Sequence, residues 1–309
     1  MLDFNEVFDE NPSAPLRKLL PRSLLHYPSP PGKALAVTCQ LDLGRSNFRT
    51  FQFSSVSATA SWERGRFRVK DLRASMDGGS ISLISDAWKE KDLVPFDVTL
   101  TLDEIDISRL LSSLSVSDSL FQGNLFLSGA FHGLWKGIGG WKRHLGGDLY
   151  LDSRGGVIRR YELLTKILTL VNFTQWSSVH LLDLKARGLP YQRINGHLAL
   201  DSGVISTEDL FVDTSIAFVT VVGSYDYVRD NLDVQLAARP LQKLDRVIDQ
   251  VPVVGRILQG EDGTTVIFYY KLSGPMKDPQ VALVPFKGMS ERMRSLFDRI
   301  RTGIESRQF

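Results

Sequence analysis

Gly65-Arg66-Phe67-Arg68-Val69-Lys70-Asp71-Leu72 is a turn glycine followed by alternating apolar and polar residues. It returns at Gly203-Val204-Ile205-Ser206-Thr207-Glu208-Asp209-Leu210 with the glycine and the Asp-Leu pair in place. Period-two alternation after a turn residue is the mark of an antiparallel strand. A second match follows in the same order, Asp97-Val98-Thr99-Leu100 with Asp233-Val234-Gln235-Leu236. The offset is 138 residues at the first match and 136 at the second. A smaller echo relates Gly147 to Ile158 with Gly196 to Ile205, two residues being deleted. Any meander reuses such turn-and-strand language, but colinear matches predict duplicated β-meander units. Stacked units bury a continuous apolar face between neighbours, and such architectures bind or bridge more often than they catalyse.

Working outward, Phe51-Gln52-Phe53-Ser54-Ser55-Val56, Phe96-Asp97-Val98-Thr99-Leu100-Thr101-Leu102 and Leu198-Ala199-Leu200 read as further strands between Gly, Asp, Asn and Ser. Residues 1–34 hold Pro12, Pro15, Pro21, Pro28, Pro30 and Pro31 and read as a lead-in or linker, with one short helix near Leu16 to Leu20. Other short helices are expected. Asp106 can cap one carrying Ile107, Leu110, Leu111 and Leu114. Tyr161, Leu164, Ile167, Leu168 and Val171 repeat that spacing. Pro240 suits a first helical position ahead of Leu241, Leu244, Val247, Ile248 and Val251.

Composition bounds the function. Apolar residues make up 43% and charged residues 23%, enough to pack a core. A net charge of +2 supplies no field to gather nucleic acid. Cys39 is the only cysteine, so neither an internal disulfide nor a thiolate metal cluster can form. No apolar run approaches the roughly 18 residues that span a bilayer, and the acidic start lacks the order of a signal peptide.

Chemistry is scarce. His26, His132, His144, His180 and His197 show no His-Glu-x-x-His pattern and read as surface or turn residues. The glycine-rich run Gly133 to Gly140 lacks the ending of a phosphate loop. No Gly-x-Ser-x-Gly elbow occurs. Asp103, Glu104 and Asp106 stand at a helix start, and Asp226, Asp230 and Asp233 lack the ordered oxygens of a calcium loop. These readings imply a non-enzymatic protein with no cofactor and no metal.

Two segments suit lipid. Ile216-Ala217-Phe218-Val219-Thr220-Val221-Val222 and Val266-Ile267-Phe268-Tyr269-Tyr270 are apolar on both strand faces. A buried two-layer core is the plainer explanation; a curved sheet could instead turn one such face to acyl chains. As a helix from Gly288 to Ile304, the last segment sets Met289, Met293, Leu296, Phe297, Ile300 and Ile304 on one stripe. Arg292 and Arg299 flank one side, Arg294 and Arg301 the other. Such a helix can dip into a membrane surface or can simply close the end of the sheet.

The order of these pieces resembles the C-terminal region of the AsmA-like family, which includes the TamB- and YhdP-type proteins. Three passages carry the resemblance. Phe51 to Leu83 is similar to the family's strand-turn-strand unit ending in Gly-Gly. Gly123 to Gly129, followed by Gly147 to Ile158, resembles the next unit and its turn before a helix. Arg239-Pro240-Leu241 with Ile248 to Gly260 resembles the terminal signature, and Asp278-Pro279-Gln280-Val281 the closing strand. The likeness covers roughly residues 35–286. It implies a protein anchored in the inner membrane, whose β-lined trough passes phospholipid across the periplasm toward the outer membrane. Without an anchor of its own, the chain is expected to be a fragment or split partner of such a protein.

The expected fold is therefore mainly β: an elongated, strongly twisted antiparallel sheet of repeated meander units forming an open groove, with a few short amphipathic helices. Units are expected at about 35–120 and 121–238, a closing segment at 239–286 and a terminal helix at 287–309. The expected partners are phospholipid, a membrane surface and envelope proteins. Ile216, Phe218, Val266, Phe268 and Tyr270 are the candidate groove wall. Met293, Phe297, Ile300, Arg294 and Arg301 are the candidate membrane contacts. Two rivals stand beside this reading: an assembly module that adds a strand from an outer-membrane protein to an open edge, and, ranked last, a carbohydrate-active β-solenoid enzyme.

Overall fold

The computed structural model describes residues 2–3, 36–48, 51–76, 78–91, 93–113, 121–135, 141–159, 187–241, 255–260, 263–276, 278–284 and 291. The chain is mainly β, with sixteen strands among those residues. It divides into two compact units. The first takes Met1–Asp118 and Leu125–Leu149, the second Ser119–Asn124 and Tyr150–Phe309.

In the first unit, β1 (Leu2–Asp3) lies parallel to β3 (Ser46–Phe48). Both β2 (Ala36–Leu43) and β3 pair antiparallel with β4 (Phe51–Glu63). An antiparallel meander continues through β5 (Arg66–Met76), β6 (Gly79–Trp88) and β7 (Val94–Asp106). A seven-residue helix, α1 (Ile107–Ser113), follows. Its cap is the expected one: the Asp106 carboxylate accepts the backbone N–H groups of Ser108 at 2.8 Å and Arg109 at 3.2 Å. Burial works against ionising Asp106, yet these donors and the Ser108 hydroxyl outweigh it and hold the carboxyl below its ordinary range. Next come β8 (Phe121–Trp135) and β9 (Gly146–Ile158), whose residues are shared between the units.

The second unit continues with β10 (Leu189–Asp201), β11 (Val204–Thr214), β12 (Ala217–Asp226) and β13 (Asn231–Pro240), again an antiparallel meander. β14 (Gly255–Gly260) forms a hairpin with β15 (Gly263–Gly274), and β15 pairs β13 on one side. Its outer part also pairs β16 (Gln280–Leu283). One face of this unit holds a closed core of Leu232, Val234, Leu236, Phe268, Tyr270 and Leu272. Leu189 joins that core and Ile158 packs on it, although both stand several strands away from β15, so the unit's sheet curls over this face.

The duplication is structural. Glu63 and Arg66 pair across Arg64 (φ 50°) and Gly65 (φ 77°); Asp201 and Val204 pair across Ser202 (φ 49°) and Gly203 (φ 93°). Positive φ at both central residues defines a type I′ hairpin, whose twist suits the flanking strands. The ladder then slips between Val69 and Leu72 in the first copy and between Thr207 and Leu210 in the second. The repeated Asp-Leu pair thus marks a repeated β-bulge. β4–β7 correspond to β10–β13.

Two expectations are modified. Gly147 to Ile158 lies within the single strand β9, whereas Gly196 to Ile205 turns the β10–β11 hairpin, so the smaller echo joins unlike structures. Pro240 does not open a helix; it is the last residue of β13, opposite Ala217. Lacking an N–H, it costs the ladder nothing there, because the N–H of Leu241 bonds the Ile216 carbonyl at 3.0 Å. The lead-in, the helices expected at 161–171 and beyond Leu241, and the terminal helix apart from helical Glu291 lie outside the described residues.

Candidate functional site

In the first unit the register assembles one apolar face from strands that alternate. Leu43, Val56, Ala74, Ile81 and Leu102 are direct partners across β2, β4, β5, β6 and β7. The next row is Leu41, Ala58, Leu72, Leu83 and Leu100. Then come Cys39, Ala60, Val69, Ser85 and Val98, and last Val37, Trp62, Phe67, Ala87 and Phe96. Direct cross-strand partners share a face, so these four rows form one continuous surface. The bulge keeps Val69 and Leu72 on the same side despite their odd spacing.

The opposite face is mostly polar, with Ile84 and Trp88 as apolar exceptions. A representative row there is Asp42, Ser57, Arg73, Ser82 and Thr101. Arg66 and Arg68 share Asp86 on that side. Such one-sided alternation ordinarily turns the apolar side to a core. Here that side stays open to a considerable degree. Of the four rows only Ala74 and Leu102 are buried, each 4% exposed, and Trp62 is 44% exposed. Among the described residues these strands touch mainly their sheet neighbours, and the helix α1 lies against β7. A contiguous, partly exposed apolar surface of this kind is a candidate binding face.

The expected wall residues stand elsewhere, in the second unit, and do not share one face. Phe268 and Tyr270, each 2% exposed, belong to the closed core. The reason is packing: strands apolar on both faces are buried on both faces, as Ile267 at 4% and Tyr269 at 2% show. Ile216 packs against the same core. Phe218 points the other way, its ring stacked on Phe211 at 5.9 Å, with the Arg239 guanidinium 4.8 Å above it. The side chain of Val266 lies outside the described residues, as do Met293, Arg294, Phe297, Ile300 and Arg301.

Polar networks in the second unit are structural. The buried Asp152 carboxylate receives Arg193 at 2.8 Å and Arg154 at 2.9 Å. Burial opposes its charge, but the two guanidiniums prevail and lower its pKa. The Tyr191 hydroxyl meets that of Ser153 at 2.7 Å and donates to the Gln122 carbonyl at 2.9 Å, tying β10 to β8 and β9. Glycine makes room for that ring: a Cβ on Gly123 would come within 2.2 Å of the Tyr191 oxygen. His197, read from sequence as a surface or turn residue, binds Asp209 through Nδ1 at 2.6 Å on the exposed surface of the β10–β11 pair. Asp226 caps its own turn through the N–H groups of Val228 and Arg229, and Asp230 accepts the Tyr225 hydroxyl and the Met276 N–H.

Among the described residues, no three His, Cys, Asp or Glu side chains gather as a metal site, and no helix is long and apolar enough to cross a membrane. No protein-family model, curated protein or solved structure matches the chain.

Proposed function

We propose that this chain binds phospholipid without catalysing a reaction, its acyl chains lying on the apolar face of β2 and β4–β7. The observation that carries the reading is the half-exposed surface of four in-register apolar rows. Acyl chains need apolar walls and no directed polar partners, and this face offers that. The sequence likeness to the AsmA-like family extends the proposal to passage of phospholipid between the membranes of a bacterial envelope. The test is retention of lipid by the purified chain. Leu83→Glu puts a charge in the middle of the surface, opposite Leu72, and should cut retained phospholipid about tenfold or more with the fold intact by circular dichroism. Undiminished retention by a folded Leu83→Glu protein removes this face as the binding wall.

A second reading is favoured by the edge at β2. Its eight residues pair β4 on one side, and among the described residues nothing pairs the other. An open edge can accept a strand from an envelope-protein partner. Gln40→Pro on β2 would block such an addition and leave lipid retention unchanged.

A further inference from the structure

Tryptophan is the scarcest aromatic residue of the chain, and four of the five meet at one end of the first unit. Trp62 is next to last in β4, and Trp88 and Trp135 are the last residues of β6 and β8. Trp141 opens the 3-10 turn Trp141–His144 ahead of β9. Two contacts bring these strand ends together. The Lys89 N–H donates to the Gly65 carbonyl at 3.0 Å, tying the β4–β5 turn to the end of β6. A Cβ on Gly133 would come within 2.6 Å of the Phe96 ring and 3.2 Å of the His144 carbonyl oxygen. The end of β8 and the 3-10 turn therefore lie beside the start of β7.

This gathering of rings is not a core. Trp62 is 44% exposed and Trp135 37%. Trp62 belongs to the last apolar row, whereas Trp88 stands on the opposite face with the Arg66 guanidinium 5.5 Å from its ring centre. Only the end of the sheet unites rings on its two faces, so whatever covers them approaches end-on.

Charge distinguishes this end from the other. In sequence its turns carry Arg64, Lys89, Lys91, Lys142 and Arg143 against Glu63, Glu90 and Asp92. At the far end Asp77, Asp103, Glu104 and Asp106 outnumber Arg45 and Arg109. The far end is also closed: Ala74, Leu102 and Ile105 are buried there, and α1 lies against β7. The four apolar rows thus run from a buried acidic end to an exposed basic one.

We propose that the tryptophan end of the first unit docks on the surface of an anionic phospholipid bilayer and is the mouth of the acyl face. Tryptophan rings settle at headgroup depth, where an apolar body and an N–H donor are both satisfied. Lysine and arginine beside them reach the phosphates and are drawn to anionic lipid. Acyl chains leaving the bilayer then meet Trp62, Phe67 and Phe96, which belong to one apolar row. The docking stands by itself; the mouth rests on the lipid-binding reading given above.

The full chain is centrifuged with protein-free vesicles of phosphatidylcholine alone, or of phosphatidylcholine and phosphatidylglycerol in equal parts. Wild type should partition about tenfold more strongly onto the anionic vesicles, and Lys89→Glu combined with Arg143→Glu should remove that difference. These charges stand on exposed turns, so their exchange reads docking with the strands untouched. Trp62→Ala combined with Trp135→Ala should weaken binding to both vesicle types about tenfold. Arg45→Glu, at the far end, should leave binding as it is. Equal partition onto both vesicle types, tryptophan variants that bind as wild type does, or an equal loss in Arg45→Glu overturns the docking end. Binding to native membranes but not to protein-free vesicles gives the end to a membrane protein and likewise overturns it. A chain that retains phospholipid through purification but does not dock overturns the docking end and leaves the acyl face standing. A chain that docks but retains no phospholipid overturns the mouth together with the lipid-binding reading.

Discussion

Asp213 and Asp152 are two acids in one unit whose surroundings act in opposite directions. Asp213 is raised by burial, so its penalty is absent while it is protonated and full once the pH has risen through its folded pKa. Asp213→Asn should therefore melt above wild type at neutral pH, with the gain vanishing below about pH 4. A lower melting temperature at pH 7 would contradict a burial penalty on the carboxylate. Asp152 is depressed despite burial, so its contribution is complete above the ordinary carboxylate range and is lost as the pH falls through its folded value. Asp152→Asn strands Arg193 and should cost about 1–3 kcal/mol in chemical denaturation at pH 7. These pairings could not be read from the chain, because Asp152 and Arg193 lie on different strands and meet only through register. The pairing of His197 with Asp209 was hidden for the same reason.

At the scale of elements, turns and caps were the most legible features. Gly65 and Gly203 declare their hairpins because positive φ favours glycine, and Asp106 declares its helix because a carboxylate satisfies free N–H groups. The repeated Asp-Leu pair was legible as a repeat, but its meaning as a bulge was not, since a ladder slip leaves no residue-type signature as strong as a turn does. Pro240 misled because a proline suits both a helix start and a strand end. The Thr214 hydroxyl in the β11–β12 loop offers a direct test. Thr214→Val leaves the Ala217 N–H without its acceptor and should destabilise the chain by about 1–3 kcal/mol. An unchanged midpoint would show that the loop holds its shape without the hydroxyl.

For the whole molecule, the fold class was legible from alternation and duplication, whereas the proposed binding surface was not. Val266 to Tyr270 drew attention as wall candidates because they are apolar without interruption. That very continuity marks core, as the burial of Ile267, Phe268, Tyr269 and Tyr270 shows. The open surface comes from the plainer alternating strands, in which every second residue is polar and the apolar face emerges only when β2 and β4–β7 stand in register. Neighbouring residues on one strand therefore face opposite surroundings, and this gives the sharpest test of the proposed lipid-binding face. Photo-crosslinking residues are placed singly at Leu72 and Leu83, which are partners on the apolar side, and at Arg73 and Ser82, which are partners on the polar side. The chain is then loaded with phospholipid carrying labelled acyl chains and irradiated. Acyl labelling at 72 and 83 with none at 73 and 82 is the expected result. Equal labelling of both faces, or none on either in folded protein, would contradict the apolar face as a lipid wall.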